Sequence, residues 1–360
     1  MNEFIRHLVI VPIVLPLLAA ALTLSFDERQ RNVRAAISFT TTFILLVVAL
    51  VLLFAASDSG PHQGAATAYA IGDWAAPFGI VLVADRLSAM MLALTSFLGL
   101  STLLFSLARW DRAGPRFHAL FLLLLMGVNG AFLTGDLFNL FVFFEVLLAA
   151  SYGLVLHGSG LARVKAGLHY VVINLAASSL FLVGVALIYG ITGTLNMADL
   201  AAKIPAIADA DRMLFEIGCA ILGVAFLIKA GMWPLGFWLP ATYSAASAPA
   251  ASIFVILTKV GAYVIIRLSL LLFGPEAGAS AGFGQQFLVV GGIATIVFGT
   301  VGVLASRTMS RVGGYCVIVS AGTILAVVGA GGEAALAGGL YYLISSTLGA
   351  SAFFLLIELL

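Results

Sequence analysis

Three charged side chains interrupt otherwise apolar runs: Glu145 in DLFNLFVFFEVLLAASYGL, Lys229 in FLIKAGMWPLGFWLP and Lys259 in IFVILTKVGAYVIIR. A charge at the centre of a membrane-spanning helix costs about 2.5–3.5 kcal/mol on insertion scales, so it needs a partner, water or a function. All three fall near the middle of their runs, at similar depth. One lysine can pair with Glu145, which leaves the other without a carboxylate in view. Desolvation penalises the charged form of an amine, and lysine can release its proton where arginine cannot. The three residues therefore read as a proton relay, the alternative being ion pairs that merely join helices.

Gly231 and Pro234 lie two and five residues after Lys229. Proline removes an amide donor and glycine tolerates left-handed backbone, so together they predict a broken helix. Carbonyls freed by the break are expected to line a hydrated cavity, because lipid cannot satisfy them. His169, Asn174, Ser178 and Ser179 share one apolar run and are candidate supporting polar groups or interhelical hydrogen bonders. Asn129 reads as packing, His118 and His157 as interfacial, and adjacent Asp85 and Arg86 as an interfacial pair. Cys219 and Cys316 have no ligand spacing and read as small packing residues. No phosphate-binding glycine loop, nucleophile–base set or metal-ligand cluster is visible, so no cofactor, metal or enzymatic site is expected.

These charges are carried by an unusually apolar chain of 360 residues, 62% hydrophobic and 9% charged. Soluble domains carry roughly 25% charged residues. The solvent over most of the surface is therefore lipid, and a net charge of +1 implies no attraction to nucleic acid. About eleven apolar runs are long enough to cross, near 8–26, 35–56, 84–107, 117–134, 137–156, 166–190, 213–241, 248–271, 285–305, 311–330 and 335–358. The longest gaps are an external loop over 57–83 and a segment over 191–212, where LNMADLAAKI forms a short amphipathic stretch along the interface. Arginines and lysines cluster after spans 1, 3, 5 and 9, which places those loops in the cytoplasm and the N-terminus outside. The last run reaches Leu360 without a polar tail, which reads as part of a longer chain.

GDLFNLFVFFEVLLAASYGL, YGITGTLNMADLA, FLIKAGMWPLGFWLP, LTKVGAY and MSRVGGYCVIVSAGT together resemble the antiporter-like membrane subunits shared by Mrp (Pha) monovalent cation/proton antiporters and respiratory NADH:quinone oxidoreductase. The wording is that of the D-type Mrp subunits. The resemblance implies an all-α polytopic fold with two inverted five-helix repeats, each containing a broken helix. It divides the chain into N-terminal helices over 1–116, a first repeat over 117–271 and a partial second repeat over 285–360. It assigns Glu145, Lys229 and Lys259 to one half-channel, whose counterpart would lie beyond Leu360. Ser320 and Ser345 or Ser346 stand where many relatives carry histidines; serine orders water but does not titrate near neutrality.

The implied function is proton translocation in a multisubunit sodium or potassium/proton antiporter of the bacterial cytoplasmic membrane. Its partners would be other membrane subunits, monovalent cations, protons and lipid. Two alternatives stand beside it: a proton-pumping subunit of a quinone oxidoreductase or membrane hydrogenase, and a truncated scaffold form.

Overall fold

The structure, a computed structural model, describes residues 3–27, 29–57, 66–114 and 116–360. The described chain is helical apart from one two-stranded hairpin, and it separates into two compact units, Met1–Gly160 and Leu161–Leu360. Among the described residues, nine helices are long and apolar enough to cross a membrane. Two further apolar helices are shorter than the runs expected at 8–26 and 117–134.

The first unit contains α1 (Glu3–Leu8), α2 (Val11–Leu24), α3 (Arg31–Ser57), β1 (Thr67–Ala70), β2 (Val81–Ala84), α4 (Arg86–Ala108), α5 (Phe117–Leu133) and α6 (Leu137–Val155). The expected external loop over 57–83 thus holds an antiparallel hairpin; residues 58–65 of that loop lie outside the described residues. Asp85 and Arg86 each hold a helix end. The Asp85 carboxylate accepts from the Ser88 amide in a capping box at the start of α4, while Arg86 Nε donates to the Ala56 carbonyl at 3.0 Å. A cap satisfies amides that have no partner in the first turn, and the nearby arginine satisfies a carbonyl left open at the end of α3.

His118 is 2% exposed. Its Nδ1 lies 3.0 Å from Ser38 Oγ and its Nε2 3.8 Å from Asp111, whose carboxylate receives both Nε and Nη2 of Arg31. Arg31 also donates to the carbonyl of Leu107 at the end of α4, so one guanidinium ties the start of α3 to the end of α4. His157 is buried as well, with Nε2 2.7 Å from the Trp110 carbonyl. Side chains thus hold the His118 ring, and a backbone carbonyl holds that of His157.

Asn129 has a specific packing task. Pro16 lies inside α2 and has no amide hydrogen, so the carbonyl of Pro12 loses the donor that a helix supplies from position i+4. Asn129 Nδ2 on α5 donates to that carbonyl at 3.1 Å, in a buried setting.

The second unit contains α7 (Leu161–Thr192), α8 (Met197–Lys203), α9 (Asp209–Ala230), α10 (Trp238–Ala245), α11 (Ala248–Leu272), α12 (Gln285–Ala305), α13 (Met309–Ala330) and α14 (Glu333–Ile357). The short amphipathic stretch is α8, capped by the Asn196 side chain on the amides of Ala198 and Asp199. The Thr194 hydroxyl first, and Lys203 second, hold the Asp199 carboxyl below the usual range. The run at 213–241 is broken into α9 and α10, as Gly231 and Pro234 predict. On α12, Phe287, Val290, Ile293, Val297, Val301 and Leu304 are all exposed at three- and four-residue spacing, an apolar stripe along one face. By contrast, α11 is buried without interruption from Pro249 to Ile266 and forms the centre of this unit. Cys316 faces outward on α13, not into the packing.

Replacing Asn129 with leucine leaves the Pro12 carbonyl without a partner, and is expected to destabilise the fold by about 1–3 kcal/mol. Pro16→Ala restores the amide to α2 and should shrink that loss. Denaturant titration of the four-member mutant cycle in detergent measures both effects.

Candidate functional site

Lys259 sits midway along α11 and is 0% exposed. Far from both helix ends, it gains nothing from the helix dipole, which acts within the first and last turns. It is held instead by hydroxyls. Its Nζ donates to Ser320 Oγ on α13 at 2.5 Å, Ser320 Oγ donates to Ser346 Oγ on α14 at 2.8 Å, and Ser346 donates to the Leu343 carbonyl at 3.3 Å. A neutral oxygen can accept from the ammonium without adding a charge, so the amine keeps the option of losing its proton.

Lys229 is 4% exposed and occupies the last turn of α9, one residue before the helix ends. The aligned peptide dipoles give that end partial negative charge, which favours a cation by about 0.3–1 kcal/mol, and more when partly buried. The break therefore does more than bend the chain, because it brings a helix C-terminus to the lysine. Gly231 ends α9 at φ +80°, a left-handed conformation that glycine adopts without strain.

Protein groups satisfy part of the backbone at the break. Leu227 O receives the amides of Gly231 and Met232 at 3.0 and 3.1 Å. Ile228 O receives the Gly231 amide and the indole Nε1 of Trp238, the latter at 3.2 Å. The Trp233 amide donates to Thr295 Oγ1 on α12 at 2.9 Å. Leu227 O and Ile228 O are thus satisfied by protein groups at the break. Thr295 was not legible in advance, since nothing near position 233 in the chain points to it.

The structure brings the helices of the two lysines together. A Cβ at Gly261 would lie 2.7 Å from the Ala230 amide nitrogen and 3.1 Å from the Lys229 carbonyl carbon. Only glycine fits there, so α11, two residues past Lys259, rests directly on the backbone that carries Lys229. Glu145 lies half-buried near the middle of α6, in the first unit.

The supporting polar residues divide. Ser320 and Ser346 join Lys259, but Ser345 is exposed and donates to Tyr342 O within its own helix. The one-residue step rotates a helical side chain by about 100°. Asn174 and Ser178 are buried, and the Asn174 amide donates back to Tyr170 O at 2.9 Å. His169 is exposed, because five residues separate it from Asn174 and place it on another face.

Residues 134–360 match the family described as NADH:quinone oxidoreductase/Mrp antiporter, TM. Over its whole length the chain is 61% identical to the D subunit of a probable K(+)/H(+) antiporter from Rhizobium meliloti, covering 67% of that protein. It is 39% identical over 353 residues to the D subunit of the Na(+)/H(+) antiporter from Alkalihalophilus pseudofirmus, covering 97% of this chain and 69% of the relative. Its fold superposes on a chain of the Mrp complex from Dietzia sp. with a TM-score of 0.87 and 31% identity, covering 98% of this chain and 64% of that one. The chain thus spans about two thirds of the length of the relatives it matches. It is a multi-pass membrane protein of the NADH:quinone oxidoreductase/Mrp antiporter transmembrane family and belongs with the D subunits of Mrp-type cation/proton antiporters, a transporter lineage rather than an enzyme.

Proposed function

We propose that the chain is the proton-translocating subunit of a multisubunit Na+ or K+/proton antiporter. In this reading Glu145 sets the proton affinity of Lys229, and Lys229 exchanges a proton with Lys259 through water. Proton influx supplies the energy for cation export. The observation that carries the reading is the wholly buried Lys259 amine, held by the Ser320 hydroxyl beside the helix of buried Lys229. A structural ion pair would set a carboxylate against that ammonium; a hydroxyl suits a group that changes charge. The antiporter names of the relatives from Rhizobium meliloti and Alkalihalophilus pseudofirmus support the same direction.

The reading also includes inverted repeats over 117–271 and 285–360, an external N-terminus and a home in the bacterial cytoplasmic membrane. A second reading is a proton pump powered by redox partners. It draws on the likeness to a chain of an archaeal respiratory membrane complex, the membrane-bound sulfane sulfur reductase, at a TM-score of 0.86 and 26% identity. Co-purifying proteins separate the two, with iron–sulfur or flavin proteins favouring the second.

Glu145→Gln or Lys229→Ala should abolish cation-driven proton flux in membrane vesicles while the assembled complex persists; unchanged flux would sink the reading. Ser320→Ala should slow that flux by about tenfold or more, the rate equivalent of one lost hydrogen bond to a charged group, and Ser320→Thr should retain most of it. For orientation, a reporter active only outside the membrane should be silent when fused after Arg112 and active when fused after Lys203.

A further inference from the structure

A second cluster of buried charges lies in the first unit, where α3 begins and α4 ends, and the proposed proton route makes no use of it. Arg31, Arg34 and Ser38 follow one another at three- and four-residue spacing and share one face of α3. Asp111, just beyond α4, gives both carboxylate oxygens to Arg31 and stands 3.8 Å from His118 Nε2. The other nitrogen of the His118 ring lies 3.0 Å from Ser38 Oγ.

Arg34 is left over. It is 7% exposed, and its Nε is enclosed without a hydrogen-bond partner. Among the described residues no carboxylate pairs with its guanidinium, because the oxygens of Asp111 are taken by Arg31. A guanidinium does not release its proton in a protein, so Arg34 carries a charge into this corner that the one carboxylate there does not balance. Withdrawing an ion from water is costly unless it is paired. The corner therefore calls for an anion.

Its surroundings say which kind. Arg29 lies two residues before Arg31, Arg109 two before Asp111, and Arg112 and Arg116 follow in the same loop; all four are exposed. A basic margin at a helix end attracts anionic headgroups, and the dipole at the start of α3 adds to the positive potential. Apolar side chains border the same corner. Leu24 at the end of α2 and Val33 on α3 are exposed, and one turn beyond Arg34, Ile37 packs against Ala19, Ala20 and Leu122. An anion that docks here meets apolar surface as well as charge, which is the chemistry of a phospholipid. The planar fork of arginine can hold two phosphate oxygens at once.

We propose that Arg34 anchors a site for the phosphate of an anionic phospholipid, in the leaflet where α3 begins. The site needs only that the chain crosses a bilayer, so it stands or falls apart from the proposed proton route. Free phosphate shares the headgroup's chemistry, and the test separates the two.

The assembled complex in detergent is equilibrated with equal amounts of phosphatidylglycerol and phosphatidylcholine, and the subunit released from it is weighed by native mass spectrometry. The native subunit should retain phosphatidylglycerol in preference to phosphatidylcholine. Arg34→Gln should lower the retained fraction by about tenfold or more, the equivalent of one lost hydrogen bond to a charged group. Arg34→Lys keeps the charge without the fork and should fall between; it carries the comparison alone should the glutamine impair assembly. Arg112→Gln removes a charge from the exposed margin and should leave the adduct in place. Equal retention in the native subunit and the Arg34 variants overturns the site, as does equal retention of the two lipids. A phosphate adduct that replaces the lipid when inorganic phosphate is added overturns the lipid as its source. Loss of a neighbouring subunit from Arg34→Gln, with the lipid retained, assigns the charge to a partner's carboxylate and likewise overturns the proposal.

Discussion

An amine withdrawn from water needs a partner that stays in place, and for Lys259 that partner is the hydroxyl of Ser320. The rest of the second unit follows from this contact. To keep the ammonium away from lipid, α11 is surrounded along 18 consecutive residues, Pro249 to Ile266. To deliver the hydroxyls, α13 and α14 must pack on α11 at the level of Lys259, which fixes Ser320 and Ser346 in line. To seat the neighbouring lysine, α11 must touch α9, and Gly261 removes the side chain that would prevent it.

The two lysines answer the same electrostatic demand in different ways. Lys259 lies in mid-helix, where the backbone carbonyls are taken up by the helix itself, so its stabilisation comes from another helix. Lys229 lies at a helix end made by Gly231, where the backbone supplies partial negative charge. The break would be untenable in lipid if it left carbonyls bare. It is sustained by the Gly231 and Met232 amides and by the Trp238 indole, with Thr295 accepting from the amide of Trp233. The same economy is seen in the first unit, where Asn129 donates to a carbonyl that Pro16 leaves open.

Much of this was legible in advance where the signal is local. Apolar length gave the spans, and Gly231 with Pro234 marked the break. Lys229 and Lys259 stood out because few ionisable groups survive inside apolar runs. Legibility failed where rotation about a helix axis decided the outcome. Ser345 and Ser346 were equivalent candidates until helix packing turned one outward and the other toward Ser320. His169 was grouped with Asn174 by proximity in the chain, yet five residues place them on different faces. His118 and His157 flank arginine-rich loops, and nothing local names Ser38 and the Trp110 carbonyl as their partners.

Composition and near neighbours in the chain are enough to show that it lives in lipid, which runs cross and where one crossing breaks. They also show that two amines and a carboxylate are carried inside apolar runs. What faces Lys259 is a different kind of fact, settled by the packing of helices. Ser320 and Ser346 are 61 and 26 residues removed from the groups they bond, and no local preference encodes a contact between helices so far apart. A hydroxyl's worth to a buried ammonium depends on distances of tenths of an ångström, and those are set by how whole helices lie against one another.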